Sequence, residues 1–454
     1  MTHKPNAYPE PPSFNWDSNG VELRDVLPAY PPPEPIHRPE LPSPTRKPSF
    51  SSTWSLSTHL IPACYLRTTR LTPEPKVPAP NIPKDERQRL LAKARLELDE
   101  MRTSKVTDGY PRVLWNCANR YVKKDLDAHN RTGLTLSFQH ANGFPKEIFE
   151  PTLADLFASS AANIIDEVWL WESVQHGDAA LVNAGSLSGL VDWHDNARDI
   201  ANFLLHFMPT SATISPLPTH LPRVSPAETA SRIKNGFSQR TFIAIGHSYG
   251  GCTSALAALI YPTLFSALYL IDPVILQYPS RPPAGLGNAD LALGALGRRT
   301  TWPSRAAALA LFQQSPFFAT WDPRVLAAYV ECGLCPDAAG GVRLKMSGVQ
   351  EAIVFSECHT ENEVFARLGT LDARVALRWV MPGRPGAREL GAPGSVHTRV
   401  WVRRANATNV RIAGGGHLIP QEAPQELAQD LSEYLHSNFK SPRICGAPVP
   451  RANL

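Results

Sequence analysis

The run Gly246-His247-Ser248-Tyr249-Gly250 constrains the fold more than any other feature of the chain. An apolar stretch, RTFIAIGH (240–247), leads into it, and an alanine-rich stretch, SYGGCTSALAALIYP (248–262), leads out. Glycines on both sides of the serine let a strand turn sharply into a helix, in a strained conformation that leaves no room for neighbouring side chains. The same rhythm recurs on either side. Strands are predicted at LTLSFQH (134–140), EVWLWE (167–172), FSALYLID (265–272), RVALRWV (374–380) and NVRIAGG (409–415). Helices are predicted at PTLADLFASSAANI (151–164), HDNARDIANFLLHF (194–207) and the closing QEAPQELAQDLSEYLHSNF. Apolar strands alternating with helices imply the α/β class, a mostly parallel sheet flanked by helices on both faces.

The remaining stretches set the domain boundaries. Proline fills about a quarter of positions 1–52 without any hydrophobic period, which predicts a disordered or polyproline-like extension. The first part of the core then spans 53–274, with strand candidates at 58–69 and 112–124. Leu90, Leu91, Ala94, Leu98 and Met101 share one helical face within 84–103. Residues 275–373 have no clear strand pattern but carry helical pieces, SRAAALALFQQ (304–314) and PRVLAAYVEC (323–332). About a hundred residues between two strands of such a sheet read as a helical lid. The core resumes over 374–440, and 441–454 form a proline-containing tail.

Charge and cysteine usage narrow the function. A formal net charge of +4 without a Lys/Arg-rich run argues against nucleic acid. No apolar run reaches the ~18 residues of a transmembrane helix. The N-terminal residues lack the apolar stretch of a secretory signal, and seven scattered cysteines suit a reduced intracellular compartment. Sequons at Asn130 and Asn406 are then chance matches. The terminal Ala452-Asn453-Leu454 resembles a degenerate peroxisomal address, and its partner would be a peroxisomal import receptor. A homodimer is left open.

The chemistry centres on Ser248. Its hydroxyl would stand exposed above the sheet, with a helix N-terminus behind it favouring developing negative charge. A serine needs a base. His417, in Gly414-Gly415-Gly416-His417-Leu418 after the last strand, supplies one, and the order serine, acid, histidine is that of the α/β-hydrolase fold. Two acids stay open: Asp272, in Leu270-Ile271-Asp272-Pro273, and Glu389, in the loop MPGRPGARELG. The oxyanion would be met by the backbone N–H groups of Tyr249 and of Asn142, in the loop His140-Ala141-Asn142-Gly143. Cys332, Cys335, Cys358 and His359 are poorly spaced to share zinc, so neither metal nor cofactor is expected. Asp192, His194 and Asp195 read as helix capping. Arg281, Arg298, Arg299 and Arg305 in the lid read as a solvated basic face or as contacts for the phosphates of coenzyme A.

Six separated blocks carry a family resemblance: HANGFPKEIFEP, DWHDNARDI, IGHSYGG, LIDPVI, SPFFATWDPRVLAAYV and GGGHLIPQEAP. Over roughly 55–440 the chain resembles a group of fungal α/β-hydrolases. That group includes the peroxisomal acyl-CoA hydrolase of mycophenolic acid biosynthesis, the AK-toxin biosynthesis hydrolases and the yeast peroxisomal lipase. The resemblance implies a lidded hydrolase core, peroxisomal targeting and hydrolysis of a small-molecule ester or acyl-CoA thioester. It places the acid at Asp272. The N-terminal extension, the terminal tripeptide and insertions near 71–103 and 208–238 depart from the group.

Overall fold

In a computed structural model of the chain, residues 7–12, 20–47, 52–79, 81–102, 109–126, 133–277 and 288–439 are described. Arg281, Asn130 and the terminal Ala452, Asn453 and Leu454 lie outside them.

Eight strands make the central sheet: β1 (Trp54–Pro62), β2 (Trp115–Lys123), β3 (Leu134–Gln139), β4 (Ile165–Glu172), β5 (Thr241–His247), β6 (Ala267–Ile271), β10 (Ala376–Pro382) and β11 (Ala407–Ile412). Three short strands, β7 (Thr301–Trp302), β8 (Leu334–Pro336) and β9 (Val342–Leu344), fall between β6 and β10 in sequence. The spatial order is β1-β2-β4-β3-β5-β6-β10-β11. The pairings of β1 with β2 and β2 with β4 are antiparallel, and from β4 to β11 every pairing is parallel.

Alternation along each strand splits the core between the two faces. Phe242 and Ala244 belong to one buried cluster with Trp169, Trp171 and Phe203, while Ile243 and Ile245 belong to another with Phe138, Tyr269 and Leu431. Each of the larger apolar side chains, fully withdrawn from water, stabilises by about 2 kcal/mol. Because β5 is covered on both faces, it reads as a continuous apolar run rather than an alternating one.

The sequence reading needs three corrections. The helix expected over 151–164 divides into Glu150–Phe157 and a 3-10 turn at Ser160–Asn163, capped by the Ser159 side chain. The strand expected at 58–69 begins and ends earlier, since Pro62 closes β1. Within 275–373, β7, β9 and β8 form a small antiparallel sheet beside the helices Arg305–Gln313 and Pro323–Cys332. Strands of two or three residues are too short to show a period.

The described N-terminal residues form no helix or strand and are docked on the core rather than free. The Tyr8 N–H donates to Asn409 Oδ1 at 2.6 Å, and Arg46 pairs with both oxygens of Glu150 at 2.6 and 2.9 Å. Arg24 donates to Asp192 and Glu363, bridging the core helix Trp193–Asn202 and the helix Thr360–Leu368. Extended, proline-rich backbone leaves its carbonyls unpaired. The Arg198 side chain satisfies Pro28 O at 2.8 Å, and His206 satisfies Ala29 O at 3.0 Å.

Candidate active site

Ser248 follows β5 immediately and caps the helix Tyr249–Ile260 with φ 54 and ψ −116. That left-handed conformation is costly for a serine and persists only where the surroundings impose it. They do so here. The Ser248 N–H donates to Ile271 O at 3.0 Å, and its carbonyl accepts from Cys252 N–H at 3.1 Å. The glycines follow from contact distances. A Cβ on Gly246 would lie 2.6 Å from Gly250 O, and one on Gly250 would lie 2.5 Å from Gln139 O and 2.6 Å from His140 O. The turn is therefore pressed against the end of β3 and the loop that carries Asn142.

Asp272, one residue beyond β6, also has a positive φ, of 32, and its N–H donates to Val380 O at 2.8 Å. The structure brings three of the predicted residues into one row. His417 Nε2 is 3.1 Å from Ser248 Oγ, and His417 Nδ1 is 2.7 Å from Asp272 Oδ2. Glu389 takes no part in it; its carboxylate accepts from Gly394 N–H at 2.8 Å. Asp272 is 1% exposed and Ser248 7%, whereas the His417 side chain is 31% exposed. The row thus has one end in the core and its middle open to solvent. A hydroxyl, an imidazole and a buried carboxylate in this order can generate an activated nucleophile.

Sequence reasoning missed the groups that hold the row. Arg399, on the short helix Val396–Arg399, sits 3.4 Å from Asp272 Oδ1 and is buried. Burial pushes its pKa down and the Asp272 charge pushes back. His247 Nε2 is 2.8 Å from the His417 carbonyl and fixes that loop. Burial, then the neighbouring His417, keeps His247 well below the ordinary histidine pKa, so it stays neutral. Glu422 accepts from Gly416 N–H and pairs with Arg384 at 3.1 Å. In sequence Arg399 is an arginine among loop residues, with no spacing to connect it to Asp272.

Tyr249 and Asn142 are both buried, Tyr249 as the first helical residue after the turn. The Asn142 amide donates to Glu351 O at 3.0 Å, on the helix Gly348–Ser356. An aromatic wall stands between the Asn142 loop and the His417 loop. Trp321 lies 5.6 Å from Phe144 and 4.9 Å from Phe318, and Asp322 N–H donates to Gln421 O at 2.8 Å. Phe317 is 55% exposed beside it.

The other polar groups named from sequence have local partners. Asp192 caps its helix by accepting from His194 N–H at 2.9 Å. Arg298, offered as a phosphate contact, is instead engaged by Glu351 and by Tyr329 Oη at 3.0 Å. Arg299 donates to Thr301 O at 2.8 Å and Arg305 to Leu334 O at 3.0 Å. Cys332 and Cys335 are buried free thiols. Cys117, Glu172 and Asp178 come within 4.8 Å of one another. Lys146 Nζ, however, lies 3.1 Å from Glu172 and 2.8 Å from Asp178, and Lys345 Nζ lies 2.6 Å from Asp178, so ammonium groups already stand against that cluster.

Residues 218–328, which include the Ser248 turn and Asp272, match the family described as the alpha/beta hydrolase fold. The abhydrolase domain-containing protein ACTT2-1 of Alternaria alternata is 36% identical over 229 residues, covering 43% of this chain and 84% of the relative. The chain belongs to the α/β-hydrolase fold family. Other members extend the likeness. The peroxisomal membrane protein LPX1 of Saccharomyces cerevisiae is 24% identical over 358 residues, 74% of this chain and 84% of LPX1. The type I acyl-CoA thioesterase mpaH' of Penicillium brevicompactum is 29% identical over 178 residues, 39% of this chain and 34% of the thioesterase. The crystal structure of the yeast peroxisomal α/β-hydrolase Lpx1 superposes with a TM-score of 0.59 at 20% identity, covering 89% of this chain and 94% of that one, which fixes the fold of this α/β-hydrolase. Among the described residues no helix is long and apolar enough to cross a membrane.

Proposed function

We propose that this α/β-hydrolase is a serine hydrolase that cleaves an ester or acyl-CoA thioester of a hydrophobic acyl group through an acyl-enzyme. The continuous row from Ser248 Oγ through His417 to Asp272 carries the reading, at 3.1 and 2.7 Å. Ser248 Oγ attacks the acyl carbonyl carbon while His417 Nε2 takes the hydroxyl proton. The Tyr249 and Asn142 N–H groups hold the tetrahedral oxyanion. Its collapse expels the alcohol or thiol, which receives the proton from His417. Water, deprotonated by His417, then attacks the acyl-enzyme, releasing the acid and restoring Ser248. Asp272 holds His417 in the required tautomer, and Arg399 stands against Asp272 on the side away from His417, 3.4 Å from Oδ1.

The wall of Phe144, Phe317, Phe318 and Trp321 supports a hydrophobic acyl group, and the thioesterase relatives support a coenzyme A leaving group. The internal partners of Arg298 favour a second reading, a lipase or carboxylesterase acting on neutral esters. A fluorophosphonate probe is expected to label the wild type and spare Ser248→Ala, and the wild type to hydrolyse a medium- or long-chain acyl-CoA faster than the matching p-nitrophenyl ester. Equal labelling of both proteins overturns the serine mechanism; preference for the p-nitrophenyl ester selects the second reading.

The peroxisomal relative LPX1 and the Ala452-Asn453-Leu454 tail support a peroxisomal enzyme bound by the import receptor, and the resemblance to toxin-biosynthesis hydrolases supports a place in secondary, toxin-like metabolism. A fluorescent fusion with a free C-terminus should give puncta that coincide with a peroxisomal marker and disperse when the three residues are deleted. Diffuse signal from the intact tail refutes the location and leaves the chemistry standing.

A further inference from the structure

An oxyanion hole works only if two backbone N–H groups hold their aim to within a few tenths of an ångström, at 2.7–3.1 Å from the developing charge. Here the two proposed donors belong to different elements. Tyr249 opens a helix, whose geometry fixes its N–H. Asn142 sits in a loop after β3, and loops are ordinarily mobile. Something must tie the loop to the helix.

The Asn142 side chain ends a buried polar chain, and the Tyr249 ring stacks on the histidine of that chain, His176, with ring centres 6.0 Å apart. Ser173 Oγ is 2.7 Å from His176 Nδ1, and His176 Nε2 is 3.0 Å from Asn142 Oδ1. The Asn142 amide closes the chain by donating to Glu351 O at 3.0 Å. Proton counting fixes every direction. Asn142 Oδ1 can only accept, so His176 Nε2 carries the proton and Nδ1 offers a lone pair. The Ser173 hydroxyl must then donate to His176, so every link from Ser173 to Glu351 runs the same way. The chain requires a neutral His176. Burial, with a further contribution from His140, whose ring centre is 4.4 Å away, holds the His176 pKa well below its ordinary value.

Tyr249, Ser173, His176 and Asn142 are all buried. Buried polar groups are costly unless paired, but a fully paired chain is rigid. Ser173 is anchored in turn, its N–H donating to His140 Nε2 at 3.2 Å. These bonds of Ser173 and His176 run to each other, to Asn142 and to His140 rather than to the row of Ser248, His417 and Asp272.

We propose that Ser173 and His176 are positioning residues that hold the Asn142 loop, and with it the Asn142 N–H, against the Tyr249 ring, in a frame that the helix Gly348–Ser356 completes by binding Asn142. The proposal rests on the serine-hydrolase reading above. Loss of the frame lets the Asn142 loop drift, which weakens the transition state more than the bound substrate and so falls on kcat rather than KM.

The experiment is steady-state hydrolysis of p-nitrophenyl butyrate by full-length variants. His176→Phe keeps a ring and removes both bonds. His176→Gln restores an acceptor for Ser173 and a donor for Asn142. His176→Phe is expected to lose about 100-fold in kcat with KM within about twofold, and His176→Gln to regain at least about tenfold of it. Ser173→Ala, which removes one oxygen and tests the chain should His176→Phe fail to fold by circular dichroism, is expected to lower kcat in the same way. The double variant should be no slower than the slower single one, because both cut one chain. Wild-type kcat in Ser173→Ala, no recovery in His176→Gln, or losses that multiply in the double variant overturns the frame. Ser248→Ala separates the two claims. If it turns over as the wild type does, the hydrolase reading fails and takes the frame with it. If it is inactive while Ser173→Ala and His176→Phe keep wild-type kcat, only the frame fails.

Discussion

At the scale of single residues, burial and backbone conformation decide which carboxylate faces His417. Asp272 and Glu389 are both acids on loops at the C-terminal edge of the sheet, and in sequence the following Pro273 and the family resemblance favour Asp272. Asp272 leaves β6 with a positive φ and its N–H held by Val380 O, which aims the carboxylate at His417 Nδ1, 145 residues away. Glu389 binds a backbone N–H of its own loop. Asp272→Asn is expected to lower kcat by about 10⁴-fold, because an amide can donate to His417 and favour the wrong tautomer. Glu389→Gln should stay within about threefold of the wild type. Kinetics on one ester, with circular dichroism to confirm folding, decide the assignment; a large loss only in Glu389→Gln reverses it.

At the scale of elements, long periodic stretches were legible and short irregular ones were not. The strand at 240–247 and the helix after it lie within a residue or two of their predicted ends, because β5 is apolar over Phe242–Ile245 and glycines punctuate its end. The small sheet β7-β9-β8 was invisible, and the segment containing it bears on specificity. Phe312, Phe318, Trp321 and Tyr329 pack ring against ring and meet Phe144, beside the Asn142 loop. The buried members, Phe312 and Trp321, belong to the core, while Phe317 stays more than half exposed. We propose that 275–373 acts as a lid whose exposed aromatic edge meets the acyl chain. Phe317→Ala should therefore change the chain-length profile of kcat/KM, by about 1 kcal/mol per methylene gained or lost in contact. A uniform loss across C4 to C12 esters would mean that Phe317 only supports the fold.

At the scale of the whole molecule, the N-terminal segment joins parts that the sequence keeps far apart. Arg24 is 168 residues from Asp192 and 339 from Glu363, yet pairs with both, at 2.6 and 2.7 Å, and approaches Glu357 at 3.8 Å. Removing it leaves three buried carboxylates facing one another. Arg24→Met is expected to destabilise by about 2 kcal/mol, less than a fully buried pair because the Arg24 side chain is a third exposed. A urea titration should show a lower midpoint with an unchanged slope; an unchanged midpoint would mean that the segment merely lies on the surface. By itself, the sequence determined the α/β class, the strand-to-helix turn at Ser248 and the loop position of His417, because period and glycine placement are local properties that backbone sterics translate directly. Only the tertiary structure decided that Arg399 stands behind Asp272, and that Ser173 and His176 hold the Asn142 side chain beside the Tyr249 ring. It also decided that the prolines lie docked along the core, their free carbonyls met by Arg198 and His206. Each of these depends on which loop ends the order β4-β3-β5-β6-β10-β11 sets side by side. That order is a product of packing across the sheet, and no window of sequence contains it.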